Sequence, residues 1–79
     1  SLKSMTLLVF SSKNLLIQET ILENKEITES VLKLIHYDSN GKLILITRNT
    51  KKLEIVRALI YKIDPKATIS VLESNNDTF

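Results

Sequence analysis

The spacing of apolar residues changes period along this chain, and the changes mark its elements. Leu43-Ile44-Leu45-Ile46 is a continuous apolar run bounded by Lys42 and by Arg48-Asn49. It is too short for a typical helix and half β-branched, so it predicts a strand buried on both faces. Asn49 or Thr50 then offers a helix cap. Leu53, Val56, Leu59, Ile60 and Ile63 recur at helical spacing, with Lys51, Lys52, Glu54, Arg57 and Lys62 on the other faces. Asp64-Pro65 ends that helix, because the proline ring clashes with the preceding turn and disfavours αR at the residue before it. From Ala67 to Leu72 the pattern alternates: Ala67, Ile69 and Val71 on one side, Thr68 and Ser70 on the other. That period belongs to a half-buried strand.

The N-terminal part is less regular. Met5 to Phe10 is a second short apolar run and predicts the first strand, with Ser11-Ser12 as stop and helix cap. Leu15, Leu16, Ile17, Ile21 and Leu22 predict a shorter amphipathic helix that fades at Asn24-Lys25. Ile27 to Tyr37 reads as a strand, with Val31, Ile35 and Tyr37 on one face and Leu32, Leu34 and His36 on the other. Asp38-Ser39-Asn40-Gly41 is a turn signal, since Asn-Gly supplies the positive φ angles of a tight hairpin. The polar residues from Glu73 onward, and residues 1–4, are expected to fray.

The predicted order is βαββαβ. This is an α+β chain of the ferredoxin-like class: a four-stranded antiparallel sheet in order 4-1-3-2 with both helices on one face. The apolar runs fall on the two central strands and the alternating one on an edge, as that order requires. Two helices cover only one face, so Leu8, Phe10, Ile44 and Ile46 are expected on the open one. So apolar an open face is unusual for a monomer. A homo-oligomer is expected to cover it, a dimer or alternatively a trimer.

Composition narrows the function more than it defines it. Seventy-nine residues make a single domain, 1–79, and 43% apolar residues exclude a disordered chain. No cysteine excludes disulfides and Cys-based zinc sites. A net charge of +2 with interleaved signs gives no electrostatic footprint for nucleic acid or anionic lipid. No apolar run approaches membrane-spanning length. The chain opens on Ser1 rather than Met, which fits a piece of a longer protein.

Candidate chemistry is sparse. His36 is the only histidine and has no second strong ligand beside it, so a structural role is the simpler reading. Ser11 and Ser12 lack a neighbouring base, and the single glycine sits in a hairpin rather than a phosphate loop. No catalytic residue, metal site or cofactor is expected. RNA-binding domains of this shape stack bases on aromatic residues of the central strands, and KLILIT has none, so no nucleic-acid partner is expected. The one cluster with ligand chemistry is the hairpin base and its neighbours: Tyr37, Asp38, Lys42 and Arg48. An aromatic ring and bases beside a turn could hold an anionic metabolite, although an ordinary solvated hairpin is the simpler reading.

Three features together resemble one family: the strand LILIT, the helix running into Ile63-Asp64-Pro65-Lys66-Ala67, and a first strand and helix followed by Ile27-Thr28. The chain looks like the cytosolic C-terminal domain of the YitT-type bacterial membrane proteins. In that family a Val-Thr pair stands where Ile27-Thr28 stands here, and a glycine-rich hairpin carries a tyrosine within one position of Tyr37. Its glycines would fall near Leu32, Leu34 and Asp38, none of which is Gly. The resemblance implies a non-enzymatic regulatory or oligomerisation domain at the cytoplasmic face of a bacterial membrane, with the membrane domain of the same chain as partner. The alternative is a small-molecule sensor of the ACT/PII type, for an amino acid or nucleotide.

Overall fold

Residues 2–37, 42–48 and 50–76 are described by the computed structural model. Their elements are β1 (Leu2–Phe10), α1 (Asn14–Glu23), α2 (Lys25–Thr28), β2 (Val31–His36), β3 (Lys42–Thr47), α3 (Thr50–Ile63) and β4 (Thr68–Asn76). The strands form one antiparallel sheet in the order β2-β3-β1-β4, which is the expected order read from the other edge. The chain is thus α+β with a four-stranded antiparallel sheet and three helices.

One core holds the molecule together. Leu7 and Val9 of β1 and Leu43 and Leu45 of β3 are fully buried, and each pair lies two residues apart on one face of the sheet. Ile17 and Ile21 of α1, Ile27 of α2, and Leu53, Val56 and Ile60 of α3 pack into the same cluster. All three helices therefore serve a single sheet face. Burying each such side chain stabilises the fold by roughly 1.5–3 kcal/mol relative to leaving it in water.

α3 matches the span expected of the second predicted helix. α3 buries Leu53, Val56 and Ile60 at intervals of three and four, and ends at Ile63 ahead of Asp64-Pro65. Asn49 lies outside the described residues, as does the Asp38-Ser39-Asn40-Gly41 turn.

The structure departs from expectation in four places, three of them in the first half. The strand expected from Ile27 begins only at Val31, because Lys25–Thr28 forms a separate helical turn. Geometry explains the break. A helix advances about 100° per residue, so a continuous helix that buries Ile21 would turn Ile27 about 120° away from the core. It would turn Lys25 and Thr28 inward instead. At Asn24 the backbone is extended (φ −96°, ψ 100°), which re-aims Ile27 into the core, where it is 1% exposed. The Asn24 side chain accepts a hydrogen bond from the Ile27 N–H (3.2 Å) and caps the new turn.

Second, Val31 lies on the core face of the sheet and not beside Ile35. Val31 sits opposite Thr47 and Lys33 opposite Ile46, so Leu32 is the extra residue of a β-bulge. The bulge flips the faces upstream of it and leaves Leu32 54% exposed. Third, Ser11 is not a cap: no side chain caps α1, whose N-cap is Lys13. The Ser11 hydroxyl instead donates to Asp64 Oδ2 at 2.6 Å and accepts from the Lys13 N–H at 2.9 Å. Fourth, the described parts of the segments expected to fray, residues 2–4 and 73–76, are paired, while Ser1 and residues 77–79 lie outside the described residues. Leu2, Lys3 and Ser4 face Asn76, Asn75 and Ser74 in one nine-pair ladder, whose backbone hydrogen bonds do not depend on polar side chains.

Candidate functional site

Three surfaces hold the candidate residues. The first is the uncovered face of the sheet. Leu8 of β1 sits opposite Ile44 of β3, and Ile44 opposite Ile35 of β2, so an apolar strip crosses three strands. Leu8, Ile44 and Ile46 are half-buried, while Phe10 is 41% exposed. Lys42 lies opposite Phe10, with its ammonium 5.7 Å from the ring centroid, a cation–π distance. Lys33 opposite Ile46, and Thr68 and Ser70 on β4, edge the strip with polar groups. The four residues expected on the open face are all on it.

The second surface is the end of the β2–β3 hairpin. The Tyr37 N–H donates to the Lys42 carbonyl at 3.3 Å, so these two residues are joined. Asp38 lies outside the described residues. Arg48 follows the far end of β3, and six residues of strand at about 3.3 Å each separate it from Lys42 by roughly 20 Å. The structure therefore brings Tyr37 and Lys42 together and leaves Arg48 at the opposite end of the sheet.

At that opposite end lies the third surface, a cleft of about 660 Å³. Glu26 of α2 lines it, followed by Glu29 and Ser30 of the next turn, then Leu32 of the β2 bulge. Arg48, Lys51 and Lys52 close the other side at the start of α3. Lys52 donates a hydrogen bond to Glu26, and this bond, with the ammonium charge beside it, holds the Glu26 carboxyl below the usual carboxylate range. The Glu29 and Arg48 side chains make no ion pair with a described residue. Of these residues only Arg48 stands out from the sequence. The others belong to segments distant in the chain, and their charges read locally as solvated helix faces.

Two further polar groups lie near the core. His36 faces the helices from the edge strand β2, and its Nε2 is buried without a hydrogen bond to a described residue. Asp64 is 8% exposed, and the Ser11 hydroxyl followed by the Lys66 N–H (2.9 Å) holds its carboxyl below the usual range. That bridge ties the β1–α1 turn to the α3–β4 turn. Among the described residues no three His, Cys, Asp or Glu side chains are grouped to hold a metal ion. No described helix is long and apolar enough to cross a membrane.

Comparisons with models of known protein families, with curated proteins and with solved structures find no match to this chain.

Proposed function

We propose that this chain is an assembly module, a ferredoxin-like βαββαβ domain that pairs with a second copy of itself through the uncovered sheet face. The observation that carries the reading is the strip Ile35-Ile44-Leu8 with Phe10 and Ile46 beside it, on the face that no helix covers. Twofold symmetry would bury the same strip twice, and it is the commonest way in which soluble chains assemble. A trimer is the other closed arrangement. The resemblance to the YitT-type cytosolic domain supports reading such a module as one at the cytoplasmic face of a bacterial membrane, attached to a membrane domain and acting in regulation or assembly rather than catalysis.

Sedimentation velocity at micromolar concentration tests the reading. The 79-residue chain is expected to sediment as a dimer, and Leu8→Glu, Ile44→Glu and the more exposed Phe10→Glu each to shift it to monomer. A wild-type monomer overturns the proposal. A dimer unmoved by all three changes assigns the interface elsewhere, the outer edge of β4 being the first place to look.

A further inference from the structure

The cleft beside α3 is lined by residues that the sheet-face assembly does not use. Its volume, about 660 Å³, lies within the range of small-molecule sites. Its walls carry both signs of charge. Glu26 and Lys52 neutralise each other across it, which leaves the Glu29 carboxylate and the Arg48 guanidinium free of ion pairs to described residues. Lys51 and the start of α3, whose first backbone N–H groups carry partial positive charge, lie on the Arg48 side. Leu32 adds the apolar component. The β-bulge turns it out of the ladder so that more than half of it is exposed at the cleft. Bulges that re-aim a side chain in this way are over-represented beside functional sites.

A simple anion would face Glu29, and a simple cation would face Arg48 and Lys51. A ligand with both charges and an apolar group suits all three walls. We propose that the cleft binds a free α-amino acid with an aliphatic side chain. Its carboxylate lies on Arg48 and the first turn of α3, its ammonium on Glu29, and its side chain against Leu32. None of the four sheet-face residues lines the cleft, so this inference stands or falls separately from the assembly reading.

L-leucine titrated into the ¹⁵N-labelled chain tests it, followed by the backbone amide signals. Shifts are expected at residues 29–32, 48, 51 and 52, saturating at millimolar concentration or below. Glycine, which lacks the side chain, should bind about tenfold more weakly. N-acetyl-leucine and leucinamide each lose one charge and should do the same. Glu29→Gln and Arg48→Gln alter exposed side chains, so their spectra should stay folded while leucine affinity falls about tenfold or more. Absence of shifts at these amides up to millimolar leucine overturns the proposal. So does glycine binding as well as leucine. Inorganic phosphate shifting the same amides with no dependence on Glu29 would make this an anion site, and also overturns it.

Discussion

The two halves of the molecule, residues 2–36 and 42–76, run through the same succession of strand, helix and strand, and they solve the same packing problem differently. The second half uses one helix of fourteen residues whose apolar positions stay in phase with the core from Leu53 to Ile60. The first half uses ten residues, a break at Asn24, and four more. Its apolar positions lose phase after Ile21, and the break restores it for Ile27. A helix can follow a core only as far as its sequence keeps the 3.6-residue period. Beyond that point the backbone must be reset, and a side chain able to cap the new start has to stand at the reset. Asn24 supplies that cap.

Proline separates the two solutions most sharply. Ile60→Pro falls inside the continuous helix and should cost well over about 3 kcal/mol, leaving the chain largely unfolded in thermal and urea melts. A cooperative, wild-type-like melt of the variant would contradict the assignment of α3. Next in size is Ile27→Ala. If the break exists to bury this residue, the truncation should cost about 2–5 kcal/mol, the range for a core isoleucine. Leu32→Ala, on the bulge, should stay within about 0.5 kcal/mol by the same melt. Equal losses at the two positions would restore the plain strand that the local pattern predicts.

A smaller effect should appear where the halves are tied together. The Asp64 carboxyl is held below its ordinary range by Ser11 and by the Lys66 N–H. A depressed folded-state value means its stabilising contribution is complete above the unfolded value of about 3.9 and disappears as pH falls through the folded one. Asp64→Asn should lower the melting temperature at pH 7 and flatten the acid limb below about pH 4. Glu26 titrates in the same direction, but its exposed pair with Lys52 should fade in high salt. An unchanged acid limb in the variant would show that the bridge does not join the halves energetically. The smallest expected change is Lys25→Pro. Lys25 is the first residue of α2 and follows an extended Asn24, the setting in which proline is accepted. Stability should move by no more than about 0.5 kcal/mol. A loss like that of Ile60→Pro would mean that the first helix runs through.

The second half was legible because each of its signals is local. The period of Leu53, Val56 and Ile60, the stop at Pro65 and the alternation from Ala67 each occupy a few neighbouring residues. What escaped reading depends on distant parts. A single helical turn at Lys25–Thr28 has too few residues to show a period, and Ile27-Thr28 followed by Val31-Leu32 resembles the start of a strand. The bulge at Leu32 is set by pairing with β3 and has no sequence mark. The polar stretch from Glu73 is a strand only because Leu2 to Met5 lies beside it. The open-face residues Leu8, Phe10, Ile44 and Ile46 followed from alternation and strand order alone. The cleft did not, since its walls come from segments about twenty residues apart, and Arg48 lies a strand's length from the hairpin beside which the sequence pattern sets it.

The ladder between β1 and β4 has a mechanical consequence. Leu2 and Asn76 are partners at the same end of an antiparallel pair, so the chain enters and leaves the domain at adjacent points. A pull applied between those points acts across the hydrogen bonds and loads them one step at a time, from the open end inward. It does not shear the nine pairs together. The domain is therefore placed to peel open under modest tension like a zip. Anything joined at either end would begin from the same small patch of surface.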